Sequence, residues 1–167
     1  MDVKKAIESR RSIRKYQNKE IPKKVMDDLL EAARIAPSSS NKQGWKIIVV
    51  TDEEMRKRLV PVSGNQTFVG DCSAYLVGVS EPSVGYSPVD VTIALDHLSL
   101  RAVELGLGTC WIGDFEPIRV KEILGVPADR DVPVCMTLGY PTSQPEARRR
   151  KEASALFREN VWERHWK

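Results

Sequence analysis

The stretch VDVTIALDHLSLRAVELGLGTCWIG, residues 89–113, carries the reading of the fold. Val89 to Leu107 reads as the longest helix in the chain. Asp90, His97, Arg101 and Glu104 share one narrow stripe, and Asp96 is the one charge outside it. Val91, Ile93, Leu95, Leu98, Leu100, Ala102, Val103 and Leu105 cover most of the remaining girth, and a helix apolar around most of its girth is buried. Gly106 and Gly108 stop it. Thr109 to Ile112 then reads as a short strand ended by Gly113. A chain of 167 residues is one ordinary domain, and its single core is small for such a helix. A subunit interface is the natural second cover, a well-wrapped monomer the alternative.

Upstream, Asp2 to Ser9 reads as a short helix and Arg10 to Lys19 as a basic, irregular segment. Pro22 opens a helix to Ile35, with Val25, Leu29, Ala32 and Ala33 on one face. Pro37 ends it. The polar turn Ser38–Gly44 leads into Trp45–Val50, a strand whose continuous apolar run predicts burial on both faces. Asp52 caps a helix from Glu53 to about Val60, and Ala74 to Val79 is a second strand. Downstream lie a short helix from Pro117 to Leu124, a strand from Val132 to Leu138, and a tail that is basic and then aromatic. Mixed helices and strands without repeats predict a single α+β domain over residues 1–167, helices packed on a small sheet.

Composition narrows the function classes. Apolar residues make up 41% and charged residues 29%, which fits a folded globular chain. The net charge of +3 is too small to indicate nucleic acid by itself. Three cysteines, Cys72, Cys110 and Cys135, form no CxxC pair and no zinc spacing with histidine, so no metal is expected. An odd, sparse set fits a reducing cytoplasm. The opening MDVKKAIESRR has no apolar stretch after its charges, and no run is long enough to cross a bilayer, so no membrane partner is expected.

Four segments hold polar groups that folding alone does not demand. Arg10, Arg11, Ser12 and Arg14 offer guanidinium forks and a hydroxyl suited to an anion, or else a solvated charged loop. Pro37, Ser38, Ser39, Asn41 and Gln43 offer donors and acceptors for the edge of a heterocycle, or a plain helix-to-strand turn. Gly106 to Gly113, through Trp111 and Ile112, lets a flat ring approach the backbone, or simply stops a helix. It is no dinucleotide fingerprint, because tryptophan stands where the third glycine of G-x-G-x-x-G belongs. Arg148, Arg149, Arg150 and Lys151 form a basic patch without the interleaved aromatics that favour single-stranded nucleic acid. No acid–base or nucleophile set accompanies them. That absence suits a cofactor that carries the chemistry itself.

These segments, R-R-S-I-R-K-Y (10–16), A-P-S-S-S-N-K-Q-G-W (36–45), G-L-G-T-C-W-I-G (106–113) and L-G-Y-P (138–141) with basic residues after it, resemble the nitroreductase family in order and spacing. The resemblance covers nearly the whole chain. It implies the FMN-dependent nitroreductase-like fold: a central, mostly antiparallel sheet flanked by helices, in a homodimer whose two FMN sites draw on both subunits. Arg10, Arg11, Ser12, Arg148 and Arg150 would surround the phosphate, and Arg14 the flavin N1/O2 edge, where a cation stabilises the reduced ring. Pro37, Ser38, Ser39, Asn41 and Gln43 would come from the partner. Backbone around Trp111, Ile112 and Gly113 would face the ring, with no protein residue acting as catalytic acid, base or nucleophile. The implied activity is ping-pong: NAD(P)H reduces FMN, and FMN reduces an electron-poor small molecule such as a nitroaromatic or quinone. The alternative is an FMN-binding carrier or sensor with little NAD(P)H turnover. Two departures stand out. Gly44 replaces a proline common in relatives, and the segment before the long helix is short, which leaves the site either open or covered by the tail, about residues 152–167, reaching across to the partner subunit.

Overall fold

The computed structural model describes residues 2–166. Helix α1 (Val3–Ser9) starts where the Asp2 carboxylate accepts the Lys5 N–H, a side-chain cap that satisfies one of the helix's free donors. Helix α2 (Lys23–Arg34) follows Pro22, which sits at the cap rather than inside the first turn. A 3-10 turn (Ser39–Asn41) precedes strand β1 (Trp45–Val50). Asp52 then caps α3 (Glu53–Leu59), as its position predicts. A one-turn α4 (Phe68–Asp71) leads into β2 (Ala74–Ser80). The long helix α5 (Ser87–Glu104), strand β3 (Gly108–Ile112), helix α6 (Pro117–Leu124) and strand β4 (Asp131–Gly139) complete the body. The tail carries one further turn, α7 (Ala153–Leu156).

The four strands form one sheet in the order β1-β2-β4-β3, every neighbouring pair antiparallel. The α+β expectation holds, and the order explains the one strand that differs from it. Trp45–Val50 is an edge strand, so most of its residues are only half-buried in the protomer. Full burial on both faces belongs to the central β2, every residue of which is buried.

Alternation along the strands divides the core. One face carries Tyr75, Val77, Ile112 and Cys135, packed with Leu59, Val62 and Val69 from the α3–α4 region and Val120 of α6. The other carries Leu76, Met136 and Leu138 against Leu29 and Ala33 of α2 and Ala94, Leu95, Leu98 and Ala102 of α5. Helix α5 is buried along this inner face. Its outward stripe mixes exposed Val89, Asp96 and His97 with half-buried Ile93, Leu100 and Val103. Asp90 does not join that stripe. It is 3% exposed.

The N-terminal segment after α1 lies along the free edge of β3. Ser12 pairs with Thr109 in a parallel bridge, and the Ile13 N–H donates to the Thr109 carbonyl at 2.9 Å. A Cβ at Gly108 would lie 2.2 Å from Cγ1 of Ile13, so only glycine admits this contact. Gly108→Ala is expected to unseat the segment and lower stability by roughly 1–3 kcal/mol, the cost typical of overpacking. A urea midpoint that falls at unchanged slope checks this; an unchanged midpoint would show the segment is not held by the close approach.

Candidate functional site

The segment Arg10–Tyr16 is clamped from two sides. Beyond the β3 edge, it pairs with the chain leaving β4: Gln17 N–H donates to the Tyr140 carbonyl at 2.8 Å, and Thr142 N–H to the Lys15 carbonyl at 3.1 Å. The Tyr16 hydroxyl, buried, lies 2.8 Å from the Ile13 carbonyl and 2.7 Å from the Thr137 hydroxyl. Gln144 Nε2 donates to the Ser9 carbonyl at 2.7 Å. These bonds carry the chain after β4 back over the start of the molecule. The basic run of the tail therefore arrives beside the N-terminal arginines, although more than 130 residues separate them in sequence.

The result is a cleft of about 620 Å³ lined by Arg10, Arg11, Ser12, Arg14, Arg148 and Arg150, together with the carboxylates Glu8 and Glu146. Arg10 Nη1 and Arg11 Nε are buried and have no hydrogen-bond partner. A buried guanidinium N–H without an acceptor is costly, and an anionic oxygen in the cleft would be a fitting partner. Arg14 is exposed at the same cleft, and beneath the segment the Cys110 thiol lies within its field. Beyond Cys110, Trp111 is half-buried, Ile112 buried and Gly113 exposed, and a Cβ at Gly113 would meet nothing within 4 Å. A flat group has room against this backbone.

The second predicted segment lies elsewhere. Pro37, Ser38 and Ser39 line a shallow depression with Tyr86, Val89, Asp90 and Ile93 at the start of α5. Asn41 and Gln43 are exposed, Gln43 Nε2 donating to the Asn41 carbonyl and to its Oδ1, each at 3.1 Å. Ser40, Asn41 and Gln43 all hold left-handed backbone, φ 50°, 54° and 51°. Such residues cost energy that the surroundings must over-determine, and they gather at functional sites. The protomer thus unites the first, third and fourth segments and leaves the second apart. Sequence reading missed Asp90, whose carboxylate accepts the Ser39 N–H at 3.1 Å. Its only signal was a charge in the first turn of the long helix.

Among the described residues no group of histidine, cysteine or acid side chains could hold a metal, and no helix is long and apolar enough to cross a membrane. All three cysteines are free and buried. Burial pushes the Cys72 and Cys135 thiols up to about 12, the nearby Arg56 charge and the Tyr75 hydroxyl respectively offsetting a part. Burial also raises the Cys110 thiol, against the pull of Arg14 and a hydrogen bond from Ser12. None is a poised nucleophile.

The nitroreductase family profile matches residues 7–82 and 64–140. Over 158 residues the chain is 33% identical to a putative NADH dehydrogenase/NAD(P)H nitroreductase of Methanothermobacter thermautotrophicus, covering 89% of this chain and 82% of that protein. The solved NADPH:FMN oxidoreductase of Vibrio harveyi in complex with NAD+ superposes with a TM-score of 0.90 at 29% identity, over 96% of this chain and 77% of that one. The FMN-dependent nitroreductase of Clostridium difficile R20291 gives 0.85 at 29% identity, over 94% and 98%. The chain belongs to the nitroreductase family.

Two outcomes follow for the thiols. A thiol reagent at pH 8 is expected to modify none of them in the native protein and all three after unfolding; fast native labelling would place a thiol at the surface. Because folding raises Cys72 and Cys135, their stabilising contribution is complete below 9.0 and is lost as pH climbs through about 12. The urea midpoint is expected to fall as pH rises above 9.0.

Proposed function

We propose that the protein is a homodimeric FMN-dependent oxidoreductase that takes electrons from NAD(P)H and passes them to a small electron-poor acceptor such as a nitroaromatic or quinone. One observation carries the reading: two remote arginine clusters meet at one cleft that holds a buried guanidinium N–H without an acceptor. The donor set matches a mononucleotide phosphate. Arg10, Ser12, Arg148 and Arg150 would hold it, with Arg11 beside them. When bound, the flavin supplies reversible two-electron chemistry, so that donor and acceptor use one open face in turn. Arg14 places a positive charge at the cleft, where it favours an anionic reduced ring electrostatically. The backbone at Trp111, Ile112 and Gly113 leaves flat space for the ring. The chain need supply no acid, base or nucleophile of its own.

The dimer has separate support. Val3 and Ile7 of α1 are 71% and 57% exposed, and Tyr86 and Val89 at the start of α5 are 67% and 51% exposed. Tyr86 and Val89 with Ile93 line one apolar depression that a second copy would cover, and the α1 pair adds exposed apolar area beside the arginine cleft, which Ile7 lines. A second copy would also bring Pro37, Ser38, Ser39, Asn41 and Gln43 to the site. The tail presents Leu156, Phe157, Trp162 and Trp166 outward, suited to lie across the partner. Three free thiols suit a reducing cytoplasm.

Anaerobic titration tests the whole. Protein reconstituted with FMN is expected to bleach its visible flavin band on adding NADH or NADPH, and to recover it on adding a quinone. Binding without bleaching by either donor would favour a carrier or sensor; absence of FMN binding would overturn the assignment. Arg148→Ala is expected to weaken FMN binding by roughly 10- to 100-fold, the loss typical of one charge-assisted hydrogen bond, with little change in stability at this exposed position.

A further inference from the structure

We infer that Asp90 is a positioning residue for the flavin site: from the first turn of α5 it fixes the Pro37–Gln43 loop in the conformation that presents its ligands. The inference rests on the FMN reading for its consequence, but its geometry stands alone. Asp90 is a carboxylate only 3% exposed, and it faces the loop, not solvent. Oδ1 accepts the Ser39 N–H at 3.1 Å, while Oδ2 is buried without a hydrogen-bond partner. A buried carboxylate with a single amide partner would be a poor choice for stability alone, since an apolar side chain avoids the desolvation. The positive end of α5 offsets part of that cost, because Asp90 lies in the helix's first turn.

The loop needs an external anchor. Its left-handed residues Ser40, Asn41 and Gln43 are not glycine, and its internal bonds are local: Gln43 N–H to Ser38 Oγ at 3.2 Å, and the Gln43 amide back to Asn41. Ser39 N–H to Asp90 ties the start of this turn to α5, whose inner face is packed into the core, while the Ser87 hydroxyl donates to the Gly44 carbonyl at the turn's end. The loop's start is thereby set by the same helix that sets the sheet. Removing the carboxylate would release the left-handed turn to relax, and Ser38, Ser39 and Asn41 would lose their arrangement.

Hydrogen exchange of the dimer without FMN, FMN titration by fluorescence quenching, and thermal melting decide the case in Asp90→Ala and Asp90→Asn. Asp90→Ala is expected to speed amide exchange within residues 37–43 and to weaken FMN binding by about tenfold or more, as loss of a charge-assisted hydrogen bond would. Asp90→Asn keeps an oxygen acceptor for Ser39 and is expected to restore slow exchange and hold FMN within about threefold of the parent. If Asp90→Ala fails to fold, Ser39→Pro deletes the donor instead; Ser38 is already extended (φ −137°, ψ 155°), as a residue before proline must be. Faster exchange at residues 40–43 in that variant supports the role. Unchanged exchange and FMN affinity in Asp90→Ala, or a lower melting point with unchanged loop exchange, would overturn it. Failure of the parent protein to bind FMN would sink the cofactor reading instead, and the exchange result would still judge Asp90.

Discussion

The Ile13 N–H reaches the Thr109 carbonyl at 2.9 Å, and Gly108 beneath it gives up a side chain so that Ile13 fits. That docking of an N-terminal segment on the bare edge of β3 is what the site depends on. An edge strand offers unpaired backbone groups at regular spacing, and a short parallel segment satisfies them. The docked segment then sends its side chains two ways. Ile13 and Tyr16 turn into the core, while Arg10, Arg11, Ser12 and Arg14 line the cleft. The far side of the same segment pairs with residues 140–142, which steers the basic tail to Arg10. One backbone registration thereby gathers charges from both ends of the chain.

Gathering like charges opposes folding, so the arrangement is informative. Arg10 and Arg11 are each only partly exposed, and each keeps a buried nitrogen without a partner. Arg11 does donate its Nη1 to the Glu8 and Arg10 carbonyls, but two arginines elsewhere are paired more fully. Arg101 pairs with Asp28 and Glu104, and buried Arg56 donates to the carbonyls of Thr51, Gly70 and Ser73. The contrast marks the cleft as the place where donors are held ready, in the preorganised manner that lets a site bind without first reorganising.

What was legible in the sequence follows from how local its cause is. Asp52 and Pro117 mark helix starts through their own chemistry, and the helices begin beside them. The arginines of the first and fourth segments were legible through the family pattern, since no local rule joins residue 10 to residue 148. The burial of Trp45–Val50 misled because an apolar run does not say whether a strand is central or at an edge; strand order decides that, and order is a long-range property. Asp90 escaped for the same reason. Its neighbours on the helix suggest a polar stripe with His97, but its partner Ser39 lies 51 residues away, and the bond turns it inward while His97 stays exposed.

Helix α5 ties these points together. Its 18 residues span about 27 Å at the usual rise. Its first turn holds the Pro37–Gln43 loop through Asp90, and its last turn feeds Gly106, Leu107 and β3, whose edge holds the arginines. Within one protomer the two halves of the proposed flavin site therefore stand at opposite ends of a rigid rod, too far apart to grip one mononucleotide. A two-fold pair of such rods crossing antiparallel would bring the start of each against the end of the other. The apolar residues on the outward stripe of α5, Val89, Ile93, Leu100 and Val103, are those a partner helix would cover. The length of α5 and the separation of the two half-sites thus both fit the proposed dimer.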